Sequence, residues 1–236
     1  MTAELIVYAV IAAGLVFWLR SILGTRSEDD PVRPAQRLEL DSEGKVVNLD
    51  SPESDKGILI NELAGNEKGN MSLADSAQDG LHDIVKIDRD FDVYAFLNAA
   101  QDAFVYIVES FAEGDRETLE DLLSPEVFGA FNGAIDAREK AGETMLSEIQ
   151  SIQKSEIIES RLDNKKAYIT VRFWAQETSV TKDETGGIIH GHPDKSTEMR
   201  DVWTFMRDLK TKDPRWLVVE TREDGAGDNE TIPNTH

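Results

Sequence analysis

Cysteine is absent from all 236 residues. That excludes a disulfide framework and every Cys-based metal or redox site. Histidine is scarce as well, at His82, His190, His192 and His236. His190 and His192 are the only close pair. They lie with Asp194 in a glycine- and proline-bearing stretch that reads as a solvated loop rather than a metal site. The chain also lacks a phosphate-binding glycine loop, a Gly-x-Ser-x-Gly elbow and a His-Glu-x-x-His helix. Gly186-Gly187 reads as a hairpin feature, and no cofactor is implied. Positive charge is short too: 25 Lys and Arg stand against 46 Asp and Glu, a net charge of -21. A chain of that sign is repelled by nucleic acid and by bulk anionic membrane.

What is present begins with an apolar run. Glu4 and Arg20 bracket Leu5 to Leu19, 15 residues without a charged side chain, and Ser21-Ile22-Leu23 extends it. With Thr2-Ala3 counted and Arg20 snorkelling, the stretch reaches the ~17–25 residues of a membrane span. Leu5, Tyr8, Leu15, Phe17, Trp18 and Leu19 are the residues that mark this span. A signal peptide would carry positive charge before the run and a small-x-small site after it, and a mitochondrial presequence would be Arg-rich. Neither pattern is present, and residues 1–23 read as a retained anchor in preference to a buried core helix. Arg20, Arg26, Arg33 and Arg37 all follow the span and no Lys or Arg precedes it. The positive-inside rule then puts the N-terminus outside and the remaining chain in the cytoplasm.

The acidity is uneven. Residues 38–149 carry 26 acids against 8 bases, whereas 150–224 carry 14 against 13. Any contact with anionic lipid therefore falls to local basic groups in the second half. Arg172, Arg207, Lys210, Lys212 and Arg215 are the candidates, to be weighed against an ordinary solvated basic face.

Residues 24–86 are polar, acidic and turn-rich, with apolar scraps such as Val46-Val47 and Ile58-Leu59-Ile60. They read as a disordered linker, because so little apolar surface cannot offset ordering entropy. About sixty flexible residues reach ~45 Å. The folded domain is expected over 87–224, with 225–236 as a tail.

In that domain, Phe91–Glu113 has helical periodicity with a narrow polar stripe at Asn98, Asp102, Glu109 and Glu113, so it must be wrapped by other elements. Gly114-Asp115 stops it and caps a short helix, Arg116–Leu123. Ser124-Pro125 opens a third helix that ends near Gly142. Ser147–Leu162, Lys165–Thr181, Glu198–Leu209 and Trp216–Arg222 read as strands, with a tight turn at Asp163-Asn164. Three helices followed by about four antiparallel strands is an α+β order.

Several of these segments resemble the Tim44-like domain. They are Phe91-Asp92, Phe96-Leu97-Asn98-Ala99, Ala103–Val108, Phe111–Asp115, Leu122–Val127, Asp201–Asp208, and Asp213-Pro214 with Trp216. The anchor and acidic linker are similar to the bacterial TimA-type arrangement of that family. Asn98 departs from it, standing where the family has glycine. The resemblance implies the cone of the NTF2-like superfamily, with helices packed into a curved antiparallel sheet. It also implies a non-catalytic adaptor at the bacterial inner membrane, serving membrane-protein biogenesis or complex assembly. Its partners would be membrane or peripheral proteins and anionic lipid, cardiolipin being preferred by mitochondrial members. Import-motor tethering is not carried over, because the long chaperone-recruiting region of the mitochondrial scaffold has no counterpart here.

The same cone hosts enzymes and ligand binders, which use a pocket carboxylate beside a tyrosine or histidine. Asp136, Asp201, Tyr106 and Tyr168 could supply such groups. Trp174, Trp203 and Phe205 are candidates for a partner-binding face or for plain core, and Trp216 for closing the sheet. An adaptor's cone should be plugged by side chains such as Phe104 and Phe111, whereas a ligand binder needs an open cavity with convergent polar groups.

Overall fold

The structure, a computed structural model, describes Ile60, Leu63 and residues 69–225. The anchor candidates Leu5, Tyr8, Leu15, Phe17, Trp18 and Leu19 lie outside those residues, as do most of the linker and the tail. Among the described residues no helix is long and apolar enough to cross a membrane.

A short strand β1 (Met71–Leu73) and a 3-10 turn (Asp75–Ala77) lead into helix α1 (Gln78–Ile87). Helix α2 (Val93–Glu113) follows, then α3 (Arg116–Leu122) and α4 (Pro125–Lys140). Each boundary has a local cause. The Asp92 carboxylate accepts from the backbone N–H of Tyr94 and Ala95 at 2.8 and 2.9 Å, capping α2. Gly114 ends α2 in the left-handed conformation, φ 77°, which a side chain would resist. Ser124 caps α4, with Pro125 in its first turn.

The strands β2 (Thr144–Asp163), β3 (Lys166–Lys182), β4 (Ile188–Gly191), β5 (Thr197–Asp208) and β6 (Leu217–Glu223) complete a six-stranded sheet. Its order is β1-β2-β3-β5-β6, with β4 pairing the far end of β3. Among the described strand pairs β1–β2 alone is parallel, beside one isolated parallel bridge between Leu123 and Val218. Asn164 and Lys165, with φ of 47° and 66°, form the two-residue turn between β2 and β3. Three register shifts along β2 mark bulges, each adding local twist and bend, so the long β2–β3 ribbon curls over the helices.

The concave face is read directly from β3: Ala167, Ile169, Val171, Phe173 and Ala175 are all fully buried at alternate positions. Phe205 and Trp203 of β5 continue that surface. Helix α2 lies against it with Phe96, Leu97, Ala100, Phe104 and Ile107 inward. Trp216 packs on Phe91 and Phe96 at centroid distances of 6.0 and 4.9 Å, closing the narrow end.

The expectations need correcting at two points. Four α-helices and six strands are described, against three helices and about four strands read from sequence. Residues 24–86 are not a disordered linker from Gly69 onward, since β1 pairs with Ser155–Ile157 and α1 packs on β2. Ile60 and Leu63 are buried in the same core. The physical reason is tertiary. Helix α1 offers only Leu81, Ile84 and Val85 as buried residues, too few for a strong periodic signal. It is held by close approach: a side chain at Gly80 would meet the Ser160 carbonyl oxygen at 2.1 Å, and Ser160 Oγ donates to the Ala77 carbonyl at 2.6 Å.

Candidate functional site

The middle of the cone is filled. Phe104 of α2 stacks on Phe173 of β3 at 4.5 Å between centroids and lies 4.8 Å from Trp203 of β5. Offset aromatic contacts of this kind contribute ~0.5–1.5 kcal/mol each beyond area burial. Trp203 and Phe205, 1% and 2% exposed, are therefore core and not a partner face. Trp174 alone of the three candidates reaches the outer surface, with Lys154 and Arg172 over its ring at 5.3 and 5.6 Å.

Beyond that plug, the wide end of the cone holds an open cavity of about 310 Å3. Val108 and Phe111 of α2 and Phe131 of α4 form one wall; Met145, Met199 and Trp203 reach it from the sheet. Register explains why carboxylates meet there. Glu177 occupies the next inward position of β3 after Ala175. Asp201 sits opposite Phe173 on β5 and beside Glu223 on β6.

Asp201 is 3% exposed and its Oδ2 accepts from the Trp203 indole N–H at 3.2 Å. Burial pushes its carboxyl up to about 7; the Trp203 hydrogen bond works in the other direction, and the charges of Glu177 and Glu223 add to the rise. Sequence reasoning named Asp201 but missed Glu177 and Glu223. The signal was legible in retrospect, as a charged residue at the inward phase of an otherwise apolar alternation.

The other acid–base candidates do not join Asp201. Asp136 on α4 is bound by Arg116 at 2.8 Å. Tyr106 is half-exposed on α2. Tyr168 stacks under Arg161 at 3.8 Å on the outer face of the sheet.

Comparison with known proteins agrees with this architecture: residues 77–223 match the Tim44-like domain. The chain belongs to the Tim44-like domain family. It is 26% identical over 143 residues to the rat mitochondrial import inner membrane translocase subunit TIM44, covering 59% of this chain and 32% of the relative. Against the probable Caenorhabditis elegans subunit tin-44 it is 24% identical over 144 residues, covering 59% and 34%. This chain thus spans about a third of the length of those relatives. The intermembrane space region of the chloroplast protein ARC6 aligns with 53% of this chain and 94% of its own, at 11% identity and a TM-score of 0.36.

In this Tim44-like domain the five basic candidates do not make one patch. Arg172, in the middle of β3, pairs with Glu156 at 3.3 Å and Asp224 at 3.2 Å. Arg207 pairs with Asp88 at 2.8 Å. Arg215 is engaged by Asp213 at 2.9 Å and Asp121 at 3.4 Å. Lys210 and Lys212 are exposed on the turn between β5 and β6. His190 and His192 are exposed at the end of β4, and the His192 Nδ1 accepts from the Asp194 backbone. Among the described residues no three His, Asp or Glu side chains converge as a metal site.

Proposed function

We propose that this Tim44-like protein is a non-catalytic adaptor. Residues 1–23 hold it in a bacterial inner membrane, and the domain gathers protein partners on the cytoplasmic face during membrane-protein biogenesis or complex assembly. The observation that carries this reading is the family match over residues 77–223, with relatives named as subunits of an inner membrane translocase. Phe104 fills the middle of the cone, which supports it, whereas Phe111, the other expected plug, lines the open cavity beyond. Dispersal of Asp136, Tyr106 and Tyr168 away from Asp201 supports the non-catalytic part.

Lipid contact, in this reading, rests on Lys210 and Lys212, since Arg172, Arg207 and Arg215 are matched by carboxylates within the domain. Two lysines are a weak electrostatic anchor, at ~1 kcal/mol each near an anionic surface. Membrane attachment therefore belongs to the anchor and not to the domain.

The test is a crosslinked pull-down of the full-length protein from native membranes beside a form starting at Thr25. Discrete membrane or peripheral proteins lost with the anchor support a tethered adaptor. Recovery of the same proteins with both forms removes the anchor from the reading, and recovery of none with either removes the adaptor. A deletion strain fully complemented by the Asp136→Asn and Asp201→Asn forms excludes catalysis by either carboxylate. Salt-sensitive binding of the domain to cardiolipin vesicles above neutral-lipid controls, lost in Lys210→Glu/Lys212→Glu, is the outcome that keeps lipid in the proposal.

A further inference from the structure

The cavity at the wide end of the cone combines two chemistries. Its apolar side is aromatic and thioether-rich: Phe111, Phe131 and Trp203, with Met145 and Met199. Its polar side carries the carboxyl groups of Glu177, Glu198, Asp201 and Glu223 against a single lining cation, Arg200. Arg200 Nε already donates to Glu198. Arg138 of α4 lies 5.0 Å over the Phe111 ring and donates to the carbonyls of Phe111 and Ala112 at 2.7 and 3.0 Å and to Met145 Sδ at 3.4 Å, so its cation is held at the helix-side wall. Glu177, Asp201 and Glu223 line the space from three adjacent strands; Glu177 accepts from the Ser147 hydroxyl and Asp201 from the Trp203 indole, both neutral donors that leave the carboxyl charge unmatched.

Low-dielectric walls around like charges focus a field, here one that gathers cations. Aromatic faces attract a cationic nitrogen by ~0.5–2 kcal/mol and accept its hydrocarbon neighbours as well. Asp201, buried beside two further acids, is stabilised in its ionised form by any cation that enters. The volume lies at the low end of the ~300–1,000 Å3 of small-molecule sites.

We propose that this cavity is a binding site for an organic cation with an apolar body. An ammonium compound, primary to quaternary, places its hydrocarbon part against Phe111, Phe131 and Trp203 and its nitrogen toward Glu177, Asp201 and Glu223. The site goes beyond the adaptor reading and does not depend on it. Its field has the wrong sign for an anionic head group.

The test uses the full-length protein and two probes of matched shape and opposite charge, phenethylammonium and 3-phenylpropanoate, titrated by calorimetry. The ammonium is expected to bind saturably and at least about tenfold more tightly than the carboxylate, as opposed charges near a surface require. Met199→Trp, which fills the cavity, should abolish that binding. Glu177→Gln and Glu223→Gln should each weaken it severalfold. Equal binding of the two probes, tighter binding of the carboxylate, or no saturable ammonium binding at millimolar concentration overturns the proposal. So does ammonium affinity unchanged in both glutamine variants, a readout independent of whether Met199→Trp folds. A lysine-bearing peptide that binds the same site more tightly than the free ammonium overturns the small-molecule assignment and makes the cavity an anchor for a partner's side chain.

Discussion

Arg207 Nη1 lies 2.8 Å from Asp88 Oδ2, joining β5 to the turn after α1 across 119 residues of sequence. Both side chains are mostly buried. The pair fastens the N-terminal elements to the sheet, and it takes Arg207 out of any lipid-facing surface. Removing one partner strands the other in a poorly solvated site, which costs more than a surface pair is worth. Arg207→Ala should lower stability by about 1–3 kcal/mol, read as a drop in urea midpoint with unchanged slope, and should leave vesicle binding unaltered.

The Asp201 carboxyl links stability to pH. Titrating near 7 when folded and near 3.8 when unfolded, it keeps its proton in the folded state between those values. Its contribution is fully present below 3.8 and is lost as pH rises through 7. Asp201→Asn should therefore be more stable than the parent protein at pH 8, by up to about 4 kcal/mol, and the advantage should shrink toward pH 4. Thermal melts of both forms across that range check this. The difference between the forms cancels carboxylates held low by local hydrogen bonds, such as Asp115, Asp183 and Asp213.

Gly80 is a packing requirement. A methyl group there would sit 2.1 Å from the Ser160 carbonyl oxygen and 2.4 Å from its hydroxyl, so α1 must move away from β2. Gly80→Ala should cost about 1–3 kcal/mol despite the higher helix propensity of alanine. Hydrogen exchange should show the loss concentrated in α1 and β1.

Leu63 and Ile60, 0% and 1% exposed, lie before the stretch matched by the family and still belong to the core. Leu63→Ala should cost about 2–4 kcal/mol. A form starting at Asp88, which also lacks Leu73, Ala77, Leu81, Ile84 and Val85, should lose cooperative unfolding altogether. Cooperative melting of that form at the parent temperature would show those contacts to be dispensable.

Legibility followed the range of the interaction. Helix α2 could be read because twenty-one residues repeat their apolar pattern and carry their own caps, Asp92 and Gly114. The β2–β3 ribbon could be read from its alternation, and its turn to within one residue: Asp163 closes β2 and the turn is Asn164-Lys165. Helix α1 and β1 could not, since three buried residues in one and two in the other give no periodicity, and their stability comes from β2, some eighty residues away. Two of the basic candidates failed as a patch for the same reason: Asp88 and Glu156, which pair with Arg207 and Arg172, come from other elements, whereas Arg215 is engaged by Asp213 only two residues away.

The amino-acid sequence by itself determined the α+β order, the caps, the two-residue turn and the membership of the Tim44-like family, because each rests on neighbouring residues or on a contiguous pattern. Only the tertiary structure decided that Phe104 plugs the cone while a cavity remains at its mouth. That outcome depends on three bulges bending β2 and on register bringing Glu177, Asp201 and Glu223 to one end of the concave face. Pairing register is a relation between strands, set by the packing of one face, and no single strand carries it.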